Sequence, residues 1–176
     1  MKDIVDSVIR KANNGTIMSY GQTSSGKTHT LFGNLSKDNH LDWGLVPRTI
    51  SYVYQEIQSQ GDPHGAAKCK VRLSLIEVYN EQIRDLLSSS TTNLSVLQTS
   101  EGIHIQGLTA HQVKNTQECL DLLKQGMENR ITGSTAMNER SSRSHCVVML
   151  SVTDLVGKES KLCLVVSDAT IKYAEC

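Results

Sequence analysis

Residues 21–28, Gly-Gln-Thr-Ser-Ser-Gly-Lys-Thr, fit the pattern G-x-x-x-x-G-K-[ST]. Few short patterns restrict a fold as strongly. The glycines let the backbone curl until successive N–H groups point at one centre, an arrangement that binds phosphate oxygens. The pattern requires a strand entering the loop and a helix leaving it, and both are legible. Thr16-Ile17-Met18-Ser19-Tyr20 is a short apolar run that includes β-branched residues, and a helix through Leu31-Phe32 is expected after the loop. The candidate cradle is therefore Gly21, Gln22, Thr23, Ser24, Ser25, Gly26, Lys27 and Thr28. Lys27 would reach the β- and γ-phosphates of a nucleotide, and the Thr28 hydroxyl would take a position on Mg²⁺.

The rest of the chain alternates helical and extended patterns. Ile4, Val5, Val8, Ile9 and Ala12 recur at helical spacing, with Asn13-Asn14-Gly15 as the stop. Pro47 suits a first helical position, and Ile50, Val53, Tyr54 and Ile57 continue that helix towards Gly61-Asp62-Pro63. Cys69, Val71, Leu73 and Leu75 alternate with polar residues as in a half-buried strand. Ile83, Leu86 and Leu87 suggest one or two helical turns. Short β pieces are expected near Leu94–Leu97 and Ile103–Ile105, turning at Glu101-Gly102. A helix should start at Asn115-x-x-Glu118 and run past Leu120, Leu123, Met127 and Ile131. Strands from Cys146 to about Leu155 and from Leu162 to Val166 close the pattern, joined by a turn at Gly157-Lys158-Glu159. This order predicts an α/β fold with a partly parallel sheet and a terminal antiparallel hairpin.

Composition excludes several classes. The 176 residues carry Lys+Arg 18 against Asp+Glu 18. A net charge of zero argues against nucleic acid or a membrane surface as a partner. No apolar run reaches the ~18 residues of a membrane span. Lys2, Asp3 and Asp6 leave no signal-peptide core, so a cytoplasmic protein is expected. Five cysteines stand far apart without a Cys-x-x-Cys pair, which suits reduced thiols acting as small hydrophobes. The six histidines show no metal-ligand spacing.

A second constellation, Asn138-Glu139-Arg140-Ser141-Ser142-Arg143-Ser144-His145, reads equally as a solvated polar loop or as a hydroxyl-rich γ-phosphate and Mg²⁺-water site. Together the two constellations are decisive. Residues 16–28 resemble the phosphate loop of kinesin motor domains, and Asn138–His145 resembles their switch I. Gly44-Leu45-Val46-Pro47-Arg48, Ile76-Glu77-Val78-Tyr79-Asn80-Glu81-Gln82-Ile83-Arg84-Asp85-Leu86-Leu87 and Asn129-Arg130 resemble further family motifs in the same order. The resemblance implies a P-loop NTPase sheet flanked by helices, ATP and Mg²⁺ as ligands, and movement on microtubules (tubulin) at the cytoskeleton. It also implies roles. Thr28 and Ser142 would stand on or near Mg²⁺, Ser141 would meet the γ-phosphate and the lytic water, and Arg143 would pair with a switch II Glu. Lys27, Ser141, Ser142 and Arg143 are thus the catalytic candidates. Weak, Mg²⁺-dependent nucleotide binding is expected.

After Val165 the resemblance breaks. The family continues with D-L-A-G-S-E, whereas this chain reads Val166-Ser167-Asp168-Ala169-Thr170-Ile171. Val166 takes the place of the carboxylate, Ala169 that of the switch II Gly and Ile171 that of the Glu. Asp168 falls two positions late, about 6.6 Å along a strand. The expectation is a partial motor domain over residues 1–165, incomplete at both ends, with a divergent tail over 166–176. It would lack the main microtubule-binding helices. Its alternative role is a catalytically incompetent head that holds nucleotide or a partner.

Overall fold

The strand predicted before the glycine-rich loop is Gly15–Gly21, here β1, and it pairs in parallel with the last strand of the chain. A computed structural model describes residues 1–35, 40–59, 69–90, 92–100, 102–132, 144–154 and 156–168. The other elements are α1 (Lys2–Lys11), α2 (Lys27–Phe32), α3 (Leu45–Ser59), β2 (Cys69–Tyr79), β3 (Gln82–Asp85), β4 (Ser95–Thr99), β5 (Gly102–Gln106), β6 (His111–Val113), α4 (Thr116–Thr132), β7 (His145–Asp154) and β8 (Glu159–Asp168). The main sheet runs β1-β8-β7-β2-β3, with β6 also paired to β2, and β4-β5 is a separate hairpin. Among the described residues β1-β8 is the parallel pair of this sheet, and β7-β8, β2-β7, β2-β3 and β2-β6 are antiparallel. The partly parallel sheet and the terminal hairpin stand as predicted.

Strand alternation decides where the core sits. Ile17, Leu164, Val148 and Leu75 stand in register across four strands, as do Gly15, Leu162, Leu150 and Leu73. This face is buried beneath the helices. Each fully buried Leu or Val contributes about 1.5–3 kcal/mol relative to exposure. α1 lies on this face: a Cβ on Gly15 would come within 2.7 Å of Ile4 Cγ2. α4 lies there too, because a Cβ on Gly126 would meet Leu75 Cδ2 at 2.2 Å. The opposite face is open at β1, where Met18 is 58% and Tyr20 65% exposed.

Three local expectations change. The segment after Tyr79 is strand β3, not helix. Asn80 and Glu81 both take positive φ (48° and 61°), which makes a two-residue hairpin turn of the hand that matches strand twist. β6 gave no legible pattern, since only Val113 of its three residues is buried. The left-handed residue that ends α1 is Ala12 (φ 51°, ψ 41°), ahead of the Asn-Asn-Gly run. Asn13 instead donates through Nδ2 to Ser7 Oγ at 3.0 Å, and Asn14 Oδ1 accepts the Lys161 N–H at 2.9 Å. Pro47 is the third residue of α3, still within the first turn.

The start of α4 matches its sequence signal. Asn115 Oδ1 accepts the Glu118 N–H (2.9 Å), and Glu118 Oε2 accepts the Lys114 N–H (2.8 Å), a reciprocal cap. Between α2 and α3 the chain closes tightly: Gly33 bridges Trp43, and a Cβ on Gly33 would lie 2.2 Å from Asp42 O. A Cβ on Gly44 would lie 2.5 Å from Leu31 O. Burial raises the Cys146 thiol to about 11 and the Cys119 thiol to about 12, so both pack as hydrophobes.

Two substitutions of opposite sign test this packing. Ala12→Gly relieves a left-handed alanine and should stabilise the chain by about 1 kcal/mol. Gly126→Ala would ordinarily favour a helix, but here it overpacks Leu75 and should destabilise by about 1–3 kcal/mol. Urea midpoints moving in the same direction for both would refute the account.

Candidate functional site

The loop between β1 and α2 adopts the curled form its glycines allow. Ser24 (φ 64°) and Gly26 (φ 84°, ψ 9°) are both left-handed. At Gly26 a Cβ would meet nothing within 4 Å, so the glycine is required by conformation rather than space. Alternating left- and right-handed residues turn backbone N–H groups towards one point, an anion nest. Thr30 N–H closes the first turn of α2 on Gly26 O at 2.8 Å. Lys27 is 8% exposed, and its Nζ donates to Gly21 O (2.8 Å) and Gln22 O (2.5 Å). The ammonium is thereby held against the loop.

This loop forms one wall of a cavity of about 440 Å³. Thr23, Ser24, Gly26, Lys27, Thr28 and His29 line that wall. The end of α4 contributes Met127, Arg130 and Ile131, the base of β7 contributes Ser144, and β8 contributes Val166. Of the predicted cradle, the structure thus brings Thr23, Ser24, Gly26, Lys27 and Thr28 to one cavity. Gly21 and Gln22 hold Lys27 from behind, and Ser25 N–H closes a turn on Gln22 O. Ser141, Ser142 and Arg143, like Asn138, Ala169 and Ile171, lie outside the described residues.

Arg130 and Ser144 of this lining belong to a buried charge network that the motif reading did not assign. Glu77 is 1% exposed, Arg130 5% and Ser144 1%. Ser144 Oγ donates to Glu77 Oε1 at 2.8 Å, and Arg130 Nη2 donates to Ser144 Oγ at 3.1 Å. Arg130 Nε stands 3.5 Å from Glu77 Oε1, and Arg84 Nη1 is 4.0 Å from Glu77 Oε2. Arg84 also donates to Asn129 O, while Asn129 Nδ2 donates to Leu86 O, each at 2.8 Å. The signal was present in sequence. Leu73, Leu75 and Glu77 share one strand face, so a strand reading places Glu77 on the buried side, where a carboxylate requires a cation.

Register fixes what faces the cradle. Ser19 pairs with Val166, and Gly21 with Asp168. P-loop proteins hold Mg²⁺ between the loop Ser/Thr and an acidic residue of a neighbouring strand. Thr28 supplies the hydroxyl here, and among the described residues lining the cavity β8 contributes Val166, 2% exposed. Among the described residues lining the cavity there is no carboxylate, and no group of three His, Cys, Asp or Glu could hold a metal. The described donor set does not fit a Mg²⁺ ion held in that way.

A nest between a parallel strand and a helix, with a Lys folded over it, defines the class of P-loop nucleotide-binding proteins. The kinesin motor domain profile matches residues 1–168. The chain is 40% identical over 141 residues to Kinesin-like protein KIN-1 of Oryza sativa subsp. japonica, covering 79% of this chain and 29% of that protein. It is 38% identical over 172 residues to Kinesin-like protein KIN-1 of Arabidopsis thaliana, covering 94% and 35%. A solved fast kinesin, described for its ATPase mechanism and interactions with microtubules, superposes with a TM-score of 0.81 at 31% identity. That match covers 99% of this chain and 50% of the solved one. The chain belongs to the kinesin motor domain family, whose members are motor proteins that bind nucleotide, generally with Mg²⁺, and microtubules. It spans about a third of the length of the two curated relatives named. No helix among the described residues is long and apolar enough to cross a membrane.

Removing one partner of a buried ion pair leaves an uncompensated charge, at a cost of about 3–5 kcal/mol, whereas replacing the pair with apolar residues costs far less. Glu77→Leu should therefore destabilise more than the double variant Glu77→Leu, Arg130→Met. Denaturant unfolding of the single and double variants reads this directly, and strictly additive losses would show that the two residues do not act as a pair.

Proposed function

We propose that this chain is the ATP-binding portion of a kinesin-type head that holds nucleotide at residues 21–28 and does not turn it over at a motor's rate. The observation that carries this reading is Val166 lining the same cavity as Thr28. The nest at Ser24 and Gly26 and the Lys27 ammonium suit the β- and γ-phosphates. Ser141 is assigned to the γ-phosphate and the lytic water, Ser142 to the metal's surroundings and Arg143 to closing the loop, each by its place in the family motif. Phosphoryl transfer leaves little covalent work to a protein, so catalysis depends on charge placed where the transition state needs it. Val166 places none. Ile171 offers Arg143 no carboxylate, and Ala169 replaces the Gly at the γ-phosphate approach. These three changes act on one step and do not multiply.

Residues 1–165 would be the nucleotide-binding part and 166–176 a divergent segment. The partner inherited from the family is the microtubule, with the cytoskeleton as the place of action. Nucleic acid and membrane are not proposed as partners.

Steady-state phosphate release with and without polymerised tubulin tests the reading. Turnover should stay below about 1 s⁻¹, the lower end of ordinary enzymes, in both conditions. Faster, microtubule-stimulated release would refute it and point to Asp168, the register partner of Gly21, as the substitute carboxylate. Lys27→Ala should weaken binding of a labelled ATP analogue by about 2 kcal/mol or more, roughly thirtyfold in Kd. Equal affinities would mean that the loop is not the site.

A further inference from the structure

We infer that the cradle takes the metal-free nucleoside triphosphate and that Mg²⁺ adds little to its affinity, in place of the Mg²⁺-dependent binding that the family resemblance implies. This deepens the nucleotide-binding reading and rests on it. Mg²⁺ gives up its water reluctantly and keeps several waters when it binds beside phosphates. Those waters need polar acceptors on the protein side. Away from the phosphate loop the described lining is Val166, Met127, Ile131, Arg130 and Ser144, and the Ser144 hydroxyl is already engaged, donating to Glu77 Oε1 and accepting from Arg130 Nη2. Methyl and thioether groups accept nothing from a hydrated dication. The charged residues among the described lining are Lys27 and Arg130, both cations, and Glu77, 3.5 Å from Arg130 Nε, is buried at 1% exposure and is not among the lining.

A carboxylate in the wall has two effects on a triphosphate. It repels the bare anion, and it repays that repulsion when a dication sits between them. Replacing it by Val166 removes both. The bare triphosphate then loses a repulsive neighbour, and the complexed one loses the group that would favour its metal. The result is an anion site whose affinity no longer depends on the dication.

The test titrates a fluorescent ATP analogue onto the 176-residue chain, once with excess Mg²⁺ and once with EDTA. The expected dissociation constants agree within about threefold, or favour EDTA. Binding tighter by tenfold or more in Mg²⁺ would overturn the inference, and loss of that preference in Asp168→Asn would then identify the carboxylate responsible. Val166→Asp supplies the reverse arm. It should weaken binding in EDTA by about tenfold and recover in Mg²⁺, because one negative charge has returned beside the phosphates. Val166→Asn controls for polarity without charge, and a melting curve establishes that each variant is folded. A folded Val166→Asp chain that stays indifferent to Mg²⁺ would overturn the role given to position 166. Absence of binding in both buffers would instead sink the nucleotide reading itself, and the inference with it.

Discussion

The parallel pairing of β1 with β8 is the constraint on which the rest depends. It joins residues 15–21 to residues 162–168, segments almost as far apart as this chain allows. Every other strand of the main sheet is reached from that pair: β7 by the hairpin with β8, β2 by pairing with β7, and β3 and β6 through β2. The register also decides chemistry. A slip of one residue would send Val166 to the opposite face and bring a neighbour to the cavity. Parallel pairs need long crossovers and form late, because loop closure must be met before contacts reward it. The cradle is thus assembled only when the whole central sheet is in place.

The buried charges hold together the wall of the cavity that lies away from the phosphate loop. Glu77 is anchored in the middle of the sheet. Through Arg130 it ties down the end of α4, and through Ser144 the base of β7. Arg84 and Asn129 extend the tie to β3 and to Leu86. An apolar core tolerates sliding, whereas hydrogen-bonded charges in low dielectric do not. The network has little claim to raise net stability, since desolvation offsets most of the attraction. Its consequence is positional: Arg130 can occupy few orientations beside the phosphate loop.

Much of this is legible in the sequence. Residues 21–28 announced the strand, loop and helix because glycine placement and phosphate chemistry allow few alternatives. The cap at Asn115 and Glu118 was legible because its hydrogen bonds are local. The errors fall where sequence carries no local signal. Ile83, Leu86 and Leu87 look helical by spacing, but the positive φ angles at Asn80 and Glu81 fold Ile83 back into the hairpin strand β3, with Leu86 and Leu87 just beyond its end. β6 is defined by pairing with β2 rather than by its own residues. Glu77 and Arg130 were visible as motif letters, but their meeting depends on α4 crossing β2, which periodicity does not encode. Val166 was identified as a substitution from the family pattern; its position in the cavity wall came from register.

The glycine pair at positions 33 and 44 has a consequence for how such a chain can vary. Gly33 N–H donates back to His29 O, while Asn34 N–H donates to Asp42 O and Gly44 N–H to Phe32 O. The backbone therefore closes on itself at the foot of the segment, with no room for a Cβ on either glycine. Residues between the two are suspended from a clasp that already fixes the end of α2 and the start of α3. Lengthening such a loop adds only about 0.6 kcal/mol per doubling in closure entropy. An insertion that leaves Leu35 and Trp43 packed on the core and Arg48 bonded to Trp43 O would change only the tether length between them, so the segment can grow without reaching the phosphate cradle a few residues upstream.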